Sequence, residues 1–67
     1  METFSLPIIR SILAMKINYS WAEIAQSLND DYQSTLTGEA VRKRIQRFKR
    51  RKYFTYLAVW YYVRIIN

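Results

Sequence analysis

Cysteine and histidine are both absent from this 67-residue chain. Their absence excludes disulfide staples, the common zinc, iron–sulfur and haem frameworks, and the thiol and imidazole groups that most often serve as nucleophile and base. Acids are scarce, five in all, and only Asp30 and Asp31 are close in sequence. The composition therefore argues against an enzyme, and it implies neither a metal nor an organic cofactor. Gly38 and Pro7 stand alone, so the chain has few breaks and no flexible linker. A chain this short makes one domain and buries only about 60% of its unfolded surface. The usual remedies are disulfides, a metal or a partner subunit, and only the last fits this composition.

What is abundant is positive charge, unevenly placed. Eleven Lys and Arg give a net charge of +6. Residues 1–41 hold Arg10 and Lys16 together with all five acids, whereas residues 42–67 hold nine bases and no acid. Eight of those nine fall between Arg42 and Lys52, in RKRIQRFKRRK. A patch of this density concentrates polyanions: nucleic acid, anionic lipid or an acidic protein face.

Hydrophobic spacing predicts three helices, over about 5–17, 20–28 and 37–52. In the first, Leu6, Ile9, Ile12, Leu13 and Ile17 recur at helical intervals, with Ser5 as cap and Pro7 tolerated in the first turn. The second opens on Ser20-Trp21-Ala22-Glu23, an S-x-x-E capping box, and places Trp21, Ile24, Ala25 and Leu28 on one face. It reads as about two turns, followed by a polar connection, Asn29 to Thr35, in which Asp30-Asp31 is a solvated turn and Tyr32 covers the core edge. The third is capped by Thr37, with Glu39 near the positive end of the helix dipole and Gly38 at a first position where its low propensity matters little. Val41, Ile45, Phe48 and the stem of Arg44 form its apolar stripe, and the cations face outward.

The pattern Trp21-x-x-Ile24-Ala25-x-x-Leu28, followed by Thr37-x-x-Ala40-Val41-x-x-Arg44-Ile45-x-x-Phe48, resembles the Myb/homeodomain-like tri-helical proteins and is similar to small helix-turn-helix proteins of phages and mobile elements. The resemblance covers residues 4–52, with the three bulky core positions falling on Phe4, Trp21 and Ile45. The chain departs from it in the eight residues between Leu28 and Thr37, longer than a Myb-type turn, and in a first helix without acids. The resemblance implies an all-α helix-turn-helix domain, residues 1–52, whose third helix enters the major groove of duplex DNA. Glu39, Arg42, Lys43 and Gln46 would then lie nearest base edges, and Arg47, Lys49, Arg50, Arg51 and Lys52 nearest phosphates. A small transcriptional regulator or recombination accessory factor of a phage or mobile element is the expected role, in the cytoplasm of a bacterial host. The absence of thiols and of a signal-like N-terminus agrees with that compartment.

The remaining segment, Tyr53 to Asn67 (YFTYLAVWYYVRIIN), has twelve apolar residues in fifteen and six of the eleven aromatics. It is too short to span a bilayer, which takes about 20 apolar residues. No glycine or proline separates it from the third helix, and its apolar side chains occupy every face, so it reads either as a fourth helix folded back or as a strand used in dimerisation. Either way it leaves apolar surface that marks an interface, and the expected partner is a second copy of the chain. Two other readings stand beside DNA binding. The basic surface could dock an acidic face of a host polymerase or nuclease as an inhibitor, or the tail could insert peripherally in a membrane behind the KRRK run.

Overall fold

The computed structural model describes residues 4–66 of the chain, so residues 1–3 and Asn67, at the two ends of the expected segments, lie outside the described residues. The described residues form four helices and no strand: α1 (Leu6–Met15), α2 (Trp21–Tyr32), α3 (Gly38–Arg51) and α4 (Tyr53–Ile66). The all-α expectation holds, and of the two conformations open to the tail it is the helix that forms. A single core joins all four through Ile9, Ile12 and Leu13 of α1, Ile24, Ala25 and Leu28 of α2, Val41 and Ile45 of α3, and Val63 of α4.

Helix α1 ends two residues short of the expected boundary, and Ile17, beyond its end, is 39% exposed and not part of the buried core. Leu6, in its first turn, is also half in solvent. Ser5 occupies the cap position, but its side chain makes no capping hydrogen bond. The helix starts instead on the Ser5 carbonyl, which accepts from the Ile9 N–H at 2.9 Å. The α2 capping box is present in both directions. The Glu23 N–H donates to Ser20 Oγ at 3.2 Å, and the Ser20 N–H donates to the Glu23 carboxylate at 3.0 Å. That backbone donor holds the Glu23 carboxyl below its ordinary pKa, so the cap persists from neutral pH down into the acid range and weakens as Glu23 protonates. Trp21 is half-buried at the core's edge, not enclosed by it, and the Lys16 ammonium sits 5.3 Å from its ring centroid.

Helix α2 runs one turn past the expected end, so Asn29 to Tyr32 are helical; Asp30 and Asp31 are exposed on its last turn, and Tyr32 is exposed too. The helix stops at Gln33, which takes the left-handed conformation (φ 53°, ψ 40°) usually given to glycine. From there residues 33–37 run back along α2 under the control of one side chain. The Asn29 amide donates to the Leu36 carbonyl at 2.8 Å and accepts from the Leu36 N–H at 2.7 Å and from the Ser34 hydroxyl at 2.8 Å. The returning chain brings the first turn of α3 against the first turn of α2. There Gly38 is pressed onto backbone: a Cβ at this position would lie 2.8 Å from both the Ala22 nitrogen and the Trp21 carbonyl carbon. Thr37 caps α3 as expected, its hydroxyl accepting from the Ala40 N–H at 3.1 Å.

The passage from α3 to α4 is abrupt, and the expectation of no break between them fails at Lys52. This single residue leaves the helical region (φ −129°, ψ 59°) while its N–H still donates to the Phe48 carbonyl and its own carbonyl already accepts from the Tyr56 N–H, both at 2.8 Å. The α3 ladder thus ends on the Lys52 N–H and the α4 ladder begins on the Lys52 carbonyl, so the two helices abut at one residue, and the bend needs neither glycine nor proline. What the bend achieves is burial. It folds Tyr56, Val59, Trp60 and Val63 against α1 and α3, closing the side of the core that three short helices leave open.

Two outcomes test this account. Helix propensity alone predicts that Gly38→Ala stabilises by up to about 1 kcal/mol, whereas the close backbone contact predicts a loss of about 1–3 kcal/mol by overpacking. Thermal unfolding decides the sign, with Gln33→Gly as the control expected to raise stability by up to about 1 kcal/mol. Asn29→Ala strands the part-buried Leu36 N–H and carbonyl and should cost about 1–3 kcal/mol in denaturant titration; an unchanged midpoint would show that the returning loop is held by something else.

Candidate nucleic-acid interface

With Val41, Ile45 and Phe48 turned to the core, helical geometry decides where every other α3 side chain goes, because successive residues are separated by about 100°. Lys43, Gln46, Arg47 and Arg50 recur at i, i+3, i+4 and i+7 on the opposite side, and Glu39 continues the same row one turn earlier. All five are exposed. Lys49, Arg50 and Arg51 occupy the last turn of α3, where the helix dipole favours positive charge.

The nine expected contact residues do not all share that row. Arg42 is half-buried and turned toward α4, and its guanidinium forks onto the Glu39 carboxylate, with Nε donating to Oε2 at 3.0 Å and Nη2 to Oε1. The pair lowers the Glu39 pKa and raises that of Arg42, chiefly through these hydrogen bonds. Both residues placed nearest the bases at the start of the helix are therefore engaged with each other. The pair is solvent-exposed, so exchanging it for another partner costs little.

Lys49 lies on the same flank as Arg42, its ammonium 5.3 Å from the Tyr56 ring centroid. Arg51 and Lys52 lie on the other flank, beside a hollow of about 440 Å³ whose floor includes Phe4, Leu6 and Phe48. Arg44, read from the sequence as an aliphatic stem, places its guanidinium 5.2 Å from the Phe4 ring centroid at the same hollow. The cationic run thus divides into an outward ridge and two flanks. The alternation of directions relieves repulsion that a one-sided row of eight charges would suffer.

Sequence reasoning missed a second gathering of charge. Lys16 at the end of α1 and Arg64 near the end of α4 converge with Arg42 and Lys49 on a cleft of about 260 Å³ between α1, α3 and α4. Trp21, Tyr56 and Trp60 line it as well. No spacing in the sequence could have found this cleft, because it exists only when α4 folds back at Lys52. No helix among the described residues is long and apolar enough to cross a membrane. Compared with known protein families, curated proteins and solved structures, the chain matches none.

Proposed function

We propose that this protein binds duplex DNA, with α3 lying in the major groove, and acts as a small regulator of transcription or an accessory factor in recombination for a phage or other mobile element. One observation carries the reading. Lys43, Gln46, Arg47 and Arg50 form a solvent-facing row along one side of a rigid, capped helix, and the only carboxylate on that row, Glu39, is already paired with Arg42. From Glu39 to Arg50 the row runs about 16 Å along the helix, enough to cross a major groove about 12 Å wide. Gln46 can offer its amide to an adenine edge, and Arg47 or Arg50 can fork onto guanine or hold phosphate. Lys49, Arg51 and Lys52 on the flanks suit the phosphates that border the groove. The connection between α2 and α3 is only five residues because α2 runs on to Tyr32, and Asn29 and Gly38 hold the start of α3 in place.

The partner in this reading is a second copy of the chain. The outward side of α4 carries Phe54, Ala58, Tyr61 and Ile65, all exposed, at intervals of four, three and four residues. That is the a/d spacing of a two-helix seam, and no charge interrupts it. An uncharged apolar row of this spacing can pack on the same row of a copy related by a two-fold axis, which is what favours self-association over another occupant. The seam spans only about 16 Å of helix, so it holds two chains weakly on its own and more firmly when both α3 helices sit on neighbouring half-sites.

Selection of random duplexes on the purified protein should enrich a preferred, two-fold symmetric site. If about six phosphates are neutralised, log K should fall against log salt with a slope near −5. Arg47→Ala and Arg50→Ala should each reduce that slope by about 1. Salt-sensitive binding without any preferred site would reduce the role to general DNA coating, and no binding at low salt would sink the proposal. Light scattering at high micromolar concentration should give twice the 8.1 kDa monomer mass, and Phe54→Glu with Ile65→Glu should return it to the monomer without loss of helix content.

A further inference from the structure

We propose that the cleft between α1, α3 and α4 is a second nucleic-acid site, which takes one unpaired nucleotide: its phosphate on the cations and its base against the aromatic rings. The proposal rests on the DNA-binding reading for the class of ligand; Lys16, Arg64 and the aromatic rings of the cleft lie outside the duplex contact, whereas Arg42, Gln46 and Lys49 border both. Four cations, Lys16 just past α1, Arg42 and Lys49 of α3 and Arg64 of α4, line the cleft, and no carboxylate among the described residues does. Arg42 is offset by Glu39, which leaves three charges for an anion.

The aromatic lining is organised in the same way around each charge. Lys16 lies over Trp21 at 5.3 Å, Lys49 over Tyr56 at 5.3 Å and Arg64 over Trp60 at 5.2 Å, measured to the ring centroids. Inorganic phosphate alone would use only the cations. A planar base attached to a phosphate uses both, since bases stack on aromatic rings and on guanidinium planes while ammonium groups meet the phosphate. At about 260 Å³, the cleft falls below the 300–1,000 Å³ of sites for drug-sized ligands and suits one nucleotide, not a base pair. Gln46 lines the cleft and also lies on the outward row of α3, so a strand seated on that row can deliver a displaced or terminal nucleotide to it.

The two tryptophans of the chain, Trp21 and Trp60, both line this cleft, so the protein carries its own reporter. Titration with an eight-residue oligothymidylate at low salt should quench tryptophan emission in a saturable, salt-sensitive way. Lys16→Gln with Arg64→Gln, both exposed positions outside α3, should weaken the oligothymidylate about tenfold or more and leave the affinity for duplex within about threefold. Arg47→Ala with Arg50→Ala should do the opposite, so that failure of the duplex reading and failure of this one are told apart. Thymidine 5′-monophosphate separates the sources of the ligand. Displacement of the oligomer by millimolar monophosphate supports a site that also accepts a free nucleotide, whereas resistance to it supports one that needs a strand. No quenching by the oligomer, quenching indifferent to the Lys16/Arg64 pair, or equal loss of duplex and oligomer in that variant would overturn the proposal.

Discussion

The architecture depends on how closely α3 approaches α2. At Gly38 the two backbones come within a distance that no side chain can enter, and this contact sets both the depth and the rotation of α3. With the first turn so placed, Val41 and Ile45 fall into the core, and Lys43, Arg47 and Arg50 have nowhere to point but outward. Asn29 acts at the other end of the same constraint. Its amide engages Leu36 as a neighbouring strand would, in both directions, so the five residues between α2 and α3 are guided back along α2 and do not swing free.

Charge and aromaticity look like separate features of the sequence, a basic run followed by an aromatic tail. In the folded chain they are one system. Five cations lie over five rings: Arg10 on Tyr62, Lys16 on Trp21, Arg44 on Phe4, Lys49 on Tyr56 and Arg64 on Trp60. Each contact of this kind is worth about 0.5–1 kcal/mol at an exposed site, and together they offset some of the repulsion that a chain with a net charge of +6 accumulates. The tail thus makes it tolerable for α3 to keep its remaining cations bare. Lys43, Arg47 and Arg50 of the outward row have no ring partner among these contacts, and it is this row that the proposed function offers to a polyanion.

Much of this was legible in the residues, and the failures are instructive. The capping box at Ser20 and Glu23, the Thr37 cap and the core positions Ile9, Ile12, Ile24, Leu28, Val41 and Ile45 follow from local hydrogen-bonding chemistry and from periodicity, both of which act within a few residues. The misses are long-range. Asn29 was read as a turn former because its preference for loops is local, whereas its service to Leu36 is not. Gly38 was read through helix propensity, which knows nothing of the neighbouring backbone. The bend at Lys52 leaves no mark in the sequence because it calls for no special residue. Its cause is the apolar surface buried beyond it. The cleft and its cations inherit that invisibility, since Lys16 and Arg64 lie 48 residues apart in the chain.

Helix α4 carries two faces with different demands. Its inner face, from Tyr56 through Val63, completes a core that three short helices cannot close. Its outer face leaves Phe54, Tyr61 and Ile65 between 61% and 83% exposed. A chain that needed α4 only as a lid would be more soluble with polar residues on that side, and helix propensity sets no requirement for aromatics there. Folding of the monomer thus explains one face and is indifferent to the other. The proposed self-association gives that outer face a role, and association through α4 would constrain α3 as well, because only Lys52 separates the two helices. In the proposed dimer, whatever fixes the seam would also fix the spacing and relative direction of two cationic ridges, which is the geometric quantity a symmetric DNA site reads.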